Sequence, residues 1–334
     1  MITFVILAHN EQETVAGAVA AAQAASSGPA EVSVGAGRAH VQGAGGLVGG
    51  ERNRVERGGP AEADRVEGAG GSAGARRTHE DGGGEPMGDP ARRSRVVVVD
   101  SGSTDATADL AAEAGAEVIR GPLGKGAAMR LAASFVDTPW VCFLDADLVE
   151  TSHNIAAVLR ERALGAGDEV AMIVGEFTDP PPEPVLGNTI ALYPTLVRAL
   201  FPEADGRFGR RPLSGFRVVR PELVADVPDD FGVEAHLNLT VAVSGRPFIV
   251  TPIGMYRQRF RYKPDMGREI GKAILDVAIA HGRLAPPARP AWDHWVAWLA
   301  ETMGSYRGDL EDRDAYLAHL MAAAAAPLPP TGVK

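Results

Sequence analysis

The tightest constraint on this chain is a set of short apolar runs, each of which stops at polar residues. Residues 2–8 run into His9, Asn10 and Glu11, a four-valine run stops at Asp100, and residues 140–144 stop at Asp145. Unbroken apolar runs between polar punctuation suit strands covered on both faces, as in parallel sheets. Helical stretches separate them: an alanine-rich segment over 11–25 with acidic residues at its start, then 106–114 and 126–135, with a further short strand over 117–119. Such alternation predicts an α/β chain with a largely parallel sheet and crossover helices. Open sheets of this kind bind ligands outside the carboxyl ends of their strands, so the polar stops are predicted to line one crevice.

Composition narrows the classes further. Of 334 residues, 45% are hydrophobic and 23% charged, which excludes collagen-like, disulfide-scaffold and wholly disordered chains. The single cysteine, Cys142, lies inside an apolar run, so neither an internal disulfide nor a cysteine zinc site is available and a cytoplasmic location is expected. A formal charge of −10 speaks against a nucleic-acid or anionic-membrane binder, which needs basic patches. Residues 1–8 lack the basic start of a signal peptide, and no stretch reaches the about 18–20 apolar residues of a membrane span. Partners are therefore expected at a built site. Residues 27–95 hold 18 glycines and no Phe, Trp, Tyr or Ile, with ten arginines balanced by ten Asp and Glu. That stretch has too little apolar area to offset backbone ordering, at about 1–2 kcal/mol per residue, and is read as a flexible insertion.

Leu144-Asp145-Ala146-Asp147-Leu148 is the strongest motif. In extended backbone, residues i and i+2 face one way, so both carboxylates point into one pocket, about 6.5 Å apart at the backbone. Two anions there need a cation, and oxygen-only ligands select a hard ion, Mg²⁺ or Mn²⁺, that keeps waters and bridges to substrate phosphates. The competing reading is a turn or a helix cap. Asp100-Ser101-Gly102-Ser103-Thr104-Asp105 offers a tight turn with polar groups for a base or ribose, and Ser103 or Thr104 is placed to cap the next helix. Gly124-Lys125-Gly126 opens a helix, where backbone amides and an ammonium suit a diphosphate, although the Walker A spacing fails at Gly126. Arg257, Arg259, Arg261 and Lys263 share one face of a strand-like run, either as a charged edge or as an anion clamp. Arg207, Arg210 and Arg211 either join that field or sit on a loop. Trp292, Trp295 and Trp298 read as core or homodimer packing, or as a sugar platform, and residues 322–326 are expected to fray.

In order along the chain, Ala8-His9-Asn10-Glu11, Val99-Asp100-Ser101-Gly102-Ser103-Thr104-Asp105, Gly124-Lys125-Gly126 and Leu144-Asp145-Ala146-Asp147 resemble the motifs of GT-A-fold nucleotide-sugar glycosyltransferases. Pro212-Leu213-Ser214-Gly215 and Phe231-Gly232-Val233-Glu234 are similar to the P-L-S-G and Y-G-V-E segments of glucosyl-3-phosphoglycerate synthases and the related mannosyl-3-phosphoglycerate synthases. The resemblance implies a Rossmann-like, mostly parallel sheet flanked by helices over residues 1–26 and 96–262, interrupted by the 27–95 insertion and followed by a helical extension over 263–334. It implies that Ala8, Glu11, Asp100 and Ser101 hold the nucleoside and that Lys125 lies near the base and diphosphate. Asp147 would ligate the metal, with Asp145 beside the ribose or the metal's water shell, and Arg257 and Arg259 would meet the donor. Glu234 would recognise donor-sugar hydroxyls, and the backbone of Leu213 and Ser214 would border the acceptor near the anomeric carbon. The chain departs from the pattern where those synthases read V-R-x-H-R-N-R: Met255-Tyr256-Arg257-Gln258-Arg259-Phe260-Arg261 leaves Gln258 to ligate the metal, with His236, His9 or a water as substitutes. The phosphoglycerate-binding G-G-R-V-T stretch reads Val185-Leu186-Gly187-Asn188-Thr189, without its arginine.

The activity implied is retaining, metal-dependent transfer of a hexose, from UDP-glucose or a GDP-sugar, to a small anionic acceptor such as 3-phosphoglycerate. Retention by same-face attack needs no dedicated base, because the departing diphosphate assists deprotonation, whereas inversion would draft Glu234, Asp229 or Asp230. Two other readings compete. A sugar-phosphate nucleotidyltransferase predicts a G-x-G-T-R loop after the first strand, where this chain has His9-Asn10-Glu11-Gln12. A degenerate sugar-nucleotide sensor, motivated by Gln258, would bind the donor without turnover.

Overall fold

A computed structural model describes residues 1–27, 40–42, 94–179, 185–257, 263–305 and 312–333. The first half alternates as expected: β1 (Thr3–Ala8), α1 (Val15–Ser27), β2 (His40–Gln42), β3 (Val96–Asp100), α2 (Thr107–Glu113), β4 (Glu117–Arg120), α3 (Lys125–Ala133) and β5 (Val141–Asp145). There follow β6 (Glu150–Thr151), α4 (Ile155–Leu164), β7 (Met172–Thr178), α5 (Tyr193–Leu200), β8 (Arg217–Val219), α6 (Val233–Ser244) and β9 (Phe248–Arg257). Three helices close the described chain: α7 (Met266–Ala280), α8 (Arg289–Met303) and α9 (Arg313–Ala324).

The strands form one sheet in the order β2-β9-β7-β8-β5-β1-β3-β4, with β6 paired to β9. The β1–β3, β1–β5, β3–β4 and β7–β9 pairs are parallel, whereas β8 meets β5 and β7, and β2 and β6 meet β9, antiparallel, so the sheet is mixed around a parallel β5-β1-β3-β4 half. Register decides the site: Ala8 stands opposite Asp100, and Leu7 opposite Asp145, so the polar ends of β1, β3 and β5 emerge along one edge.

Successive residues on these strands feed opposite layers. Val5, Val97, Val99 and Phe143 pack with α3 and α5–α9, whereas Phe4, Ile6, Val98, Cys142 and Leu144 pack with α1 and α4. Each such side chain contributes about 1.5–3 kcal/mol on burial, which explains unbroken apolar runs where a one-sided sheet would show alternation. No helix among the described residues is long and apolar enough to cross a membrane.

Several elements differ from expectation for physical reasons. The first helix begins at Val15, four residues late, because the preceding loop spends its polar groups on a neighbour: Asn10, at φ +56°, donates its amide to Ser103 Oγ, and Glu11 donates its own to Thr107 Oγ1. Ser103 and Thr104 therefore do not cap α2; its cap residue is Ala106, and Asp105, just before it, accepts from the Thr107 amide at 3.0 Å. Within the stretch read as an insertion, residues 28–39 and 43–93 lie outside the described residues, while His40–Gln42 adds an antiparallel edge strand on β9. The tail does not fray at 322–326: α9 runs to Ala324 with Ala323 and Ala324 buried, and the Ala285 amide and Trp292 Nε1 bind the Thr331 and Pro330 carbonyls. Trp292 and Trp295 are core residues, whereas Trp298 is exposed.

Candidate functional site

At the carboxyl end of β5 the chain presents Asp145 and, two residues on, Asp147. Lys125, the first residue of α3, reaches across to Asp145 Oδ1 at 2.8 Å and to Glu234 Oε1 at 2.7 Å. A cation at a helix N-terminus is disfavoured by the peptide dipoles, so two carboxylates compensate it here; Glu234, in the first turn of α6, is itself well placed by that dipole. Burial would push Asp145 up, but the charge and hydrogen bond of Lys125 outweigh it and hold the carboxyl below the usual range. The same partners hold the buried Lys125 above the ordinary lysine value. Asp147 goes the other way: burial and the neighbouring charge of Asp145 raise it, and the Tyr256 hydroxyl, donating to Oδ1 at 2.5 Å, only partly opposes them. Tyr256 is aimed by packing, with the rings of Phe177 and Phe216 edge-on to it at 5.2 and 4.9 Å.

The β1–α1 and β3–α2 loops interlock beside this cluster. Ser101 donates its amide to the Ala8 carbonyl at 2.9 Å, and His9 donates Nδ1–H to the Ser101 carbonyl at 2.9 Å. Asn10 Oδ1 accepts from the Thr104 amide. Beneath them Asp100 is fully buried: Oδ1 accepts from the Ser103 amide, while Oδ2 accepts no hydrogen bond and faces Arg120 at 3.9 Å.

The glycine-lysine step works differently from expectation. The amides of Gly126 and Ala127 donate to the Asp230 and Asp229 carbonyls, at 3.3 and 2.9 Å, so they are not available to a phosphate. Gly126 is required by that approach, since any Cβ there would overlap the Pro228 carbonyl. What the motif delivers to the site is the ammonium of Lys125.

These groups line a cavity of about 860 Å³. At one end lie Ala8, Glu11 and Ser101; the middle holds Lys125, Asp145, Asp147, Glu234 and Lys263; and the far end is walled by Val185, Leu186, Met266, Ile270, Ala300 and Met303. The segment that stands where a phosphoglycerate-binding arginine was sought begins a π-helical turn, Asn188–Leu192, whose Asn188 Oδ1 is buried without a partner. The 212–215 loop forms the wall over Asp145: Leu213 and Ser214 line the cavity, and a Cβ on Gly215 would come within 2.6 Å of Asp145 Oδ1.

Of the residues singled out from sequence, Ala8, Glu11, Ser101, Lys125, Asp145, Asp147, Leu213, Ser214 and Glu234 are brought together here, with Asp100 behind them. Arg257 instead meets Glu150 at 2.9 Å on an exposed surface and is not among the residues lining the cavity. Gln258 and Arg259 lie outside the described residues. His236 is not brought to the cavity and faces Asp226 and Asp276, whereas His9 is on its wall. Sequence reasoning missed Tyr256 and gave Lys263 no role of its own; the ammonium of Lys263 lies 4.1 Å over the Phe231 ring, and burial and Lys125 hold it below the ordinary lysine value. Arg217, fully buried on β8, was missed altogether, because it reads as a surface residue beside Val218 and Val219.

Residues 89–190 match the model of glycosyl transferase family 2. A glycosyltransferase of Haloferax volcanii, AglJ, is 30% identical over 174 residues, which are 49% of this chain; the chain spans 54% of that relative's length. Among solved structures, mannosyl-3-phosphoglycerate synthase from Rubrobacter xylanophilus aligns over 85% of this chain and 76% of its own, at 19% identity and a TM-score of 0.58. Glucosyl-3-phosphoglycerate synthase from Mycobacterium tuberculosis, in complex with Mn²⁺, UDP and glucosyl-3-phosphoglycerate, aligns over 84% of this chain and 79% of its own, at 18% identity and a TM-score of 0.53. The sheet order and the strand-end carboxylates agree with the solved structures on a GT-A fold, within which residues 89–190 are similar to glycosyl transferase family 2.

Proposed function

We propose that the chain is a metal-dependent, retaining hexosyltransferase that moves a hexose from a nucleoside diphosphate, glucose from UDP-glucose before a GDP-sugar, to a small anionic acceptor such as 3-phosphoglycerate or a related acid. The observation that carries this reading is the buried Asp145–Lys125–Glu234 cluster beside Asp147, at the floor of a cavity edged by the ends of β1, β3 and β5.

The residues suit a hard divalent cation. Asp147 is crowded by a second carboxylate, its donors are oxygens, and Mg²⁺ or Mn²⁺ takes few protein ligands because waters and substrate phosphates supply the rest. Asp147 would hold the ion, with Gln258 as a second ligand, and the ion supplies neutralisation of the diphosphate charge. Tyr256 keeps one Asp147 oxygen occupied and leaves the other for the metal. Lys125 is pre-set by its two carboxylates, so it meets a developing diphosphate charge with no reorganisation. Ala8, Glu11 and Ser101 hold the nucleoside, with Asp100 Oδ2, which accepts no hydrogen bond, as an acceptor behind them. Glu234 accepts from sugar hydroxyls through the oxygen that Lys125 leaves open, while Leu213 and Ser214 border the attacking group. Lys263 is a cation that the described wall offers to the acceptor's negative charge, and Arg259 is kept for the donor.

A matrix of sugar nucleotides against phosphorylated and carboxylated acceptors, read by mass spectrometry with Mg²⁺ or Mn²⁺ present, tests the proposal. A hexosylated acid with release of the nucleoside diphosphate is expected. Donor binding without product across the matrix would replace the enzyme with a sugar-nucleotide sensor.

A further inference from the structure

Arg217 begins β8 with its guanidinium fully enclosed. A buried charge ordinarily has a counter-ion, yet no carboxylate among the described residues is within ion-pairing distance of it. Its donors go to one loop instead. Nε and Nη2 reach the Ser214 carbonyl at 3.0 and 2.6 Å, Nη2 also meets the Pro212 carbonyl at 3.3 Å, and Nη1 meets Asn238 Oδ1 at 3.3 Å. Asn238, buried on α6, closes the ring by donating Nδ2 to the Pro212 carbonyl at 2.7 Å and to the Tyr193 hydroxyl at 3.2 Å.

Two buried side chains from different elements thus converge on two carbonyls of the loop that carries Leu213 and Ser214. Apolar side chains of similar size would fill such a space at less cost, so a network this committed fixes a position more than it adds stability. The position matters because the loop continues into Gly215, which lies against Asp145 so closely that even a methyl group would collide. On the far side of that contact Asp145 and Glu234 share the ammonium of Lys125, with Lys263 at longer range, and the guanidinium adds a further positive charge from behind the loop.

We infer that Arg217 is a positioning residue for the transfer step: with Asn238 it locks the 212–215 loop against Asp145 at the distance the donor sugar requires. The inference rests on the sugar-nucleotide transferase reading of the same cavity, and names a residue whose role is in placing the sugar rather than in holding the nucleotide.

Arg217→Met and Arg217→Lys test it. With Mg²⁺ present, calorimetry gives the affinities for UDP and UDP-glucose, and UDP release with 3-phosphoglycerate gives kcat and KM. Arg217→Met is expected to bind UDP within about threefold of the unmodified protein, to lose the extra affinity of UDP-glucose over UDP, and to turn over roughly a hundredfold more slowly. Arg217→Lys, which keeps the charge without the fork, recovers part of that loss. Should Arg217→Met fail to fold, Arg217→Lys decides alone: slower turnover or a lost UDP-glucose preference with UDP affinity retained supports the inference. Unchanged kcat and unchanged preference overturn it, as does a fall in UDP affinity and melting temperature parallel to the fall in kcat. An unmodified protein that binds neither UDP nor UDP-glucose overturns the underlying reading as well.

Discussion

The two ends of the cavity are built on opposite plans. At the end formed by β1 and β3, loops from adjacent parallel strands satisfy each other's polar groups: Ser101 with Ala8, His9 with Ser101, Asn10 with Ser103 and Thr104. At the far end the wall is assembled from the turn at 185–192, the start of α7 and the end of α8, and it is largely apolar, with Asn188, Thr189 and Glu269 as its polar members. The cluster of Lys125, Asp145 and Glu234 joins the two. A short-range polar lattice suits a part of the substrate with fixed chemistry, whereas a surface made by long-range packing is re-shaped by changes in helix ends. The comparison teaches that, under the proposed function, nucleotide recognition and acceptor choice would be separable in this chain.

The largest effect is expected where the ends meet. Asp147→Ala should lower UDP affinity in Mg²⁺ by a hundredfold or more, on the order of 3 kcal/mol, and chelation should do the same to the unmodified protein; calorimetry with and without EDTA reads both. UDP binding indifferent to either treatment would break the comparison at its junction. Lys125→Met leaves Asp145 and Glu234 facing each other without their cation, and urea unfolding should show a loss of about 3 kcal/mol.

Separability itself is read from a pair of variants. Asp100→Ala should weaken UDP about tenfold and leave the KM of the acceptor alone, whereas Met303→Ala should change acceptor KM and leave UDP affinity within twofold. Equal effects of both on UDP would merge the two ends. Acidity probes the junction more gently. Asp147 titrates above the usual carboxylate range, so Mg²⁺-dependent UDP binding should fall away as pH drops through that raised value, earlier than for an ordinary aspartate. Tyr256→Phe removes the hydrogen bond that opposes this shift. The acid limb should then move to still higher pH, with a roughly fivefold loss of affinity near neutrality. The smallest effect belongs to Arg257→Ala. Its pair with Glu150 is exposed, so stability should change by less than about 0.5 kcal/mol, and an unchanged UDP affinity would assign Arg257 to the surface.

Much of the end formed by β1, β3 and β5 was legible in the sequence. Asp100, Asp145 and Asp147 follow apolar strands, and the stop of such a strand is a local event that the next two or three residues encode. The four-valine run fixed the strand but not the direction of each loop polar group: Ser103 and Thr104 do not cap α2 because Asn10, from another loop, claimed them first, and Asp105 accepts from the Thr107 amide instead. The glycine-lysine step was legible as a cation at the cavity, but its amides were misread, since nothing near Gly126 announces that the carbonyls of Asp229 and Asp230 will take them. Arginines at alternate positions drew attention to Arg257, while Tyr256, one residue earlier on the opposite face, was the side chain that reached Asp147.

By itself the sequence determined the parallel strands, their order of polar stops and the carboxylates at their ends, because burial on both faces of a sheet demands unbroken apolar runs and ends them where the chain meets water. Only the tertiary structure decided the partners: that Lys125 is shared by Asp145 and Glu234, that Tyr256 holds Asp147, and that Arg217 binds the 212–215 loop. Apart from Arg217, which binds carbonyls three and five residues back, those contacts join residues far apart in the chain. A buried charge is worth its desolvation only when such distant groups are delivered to hydrogen-bonding distance, which no local pattern records.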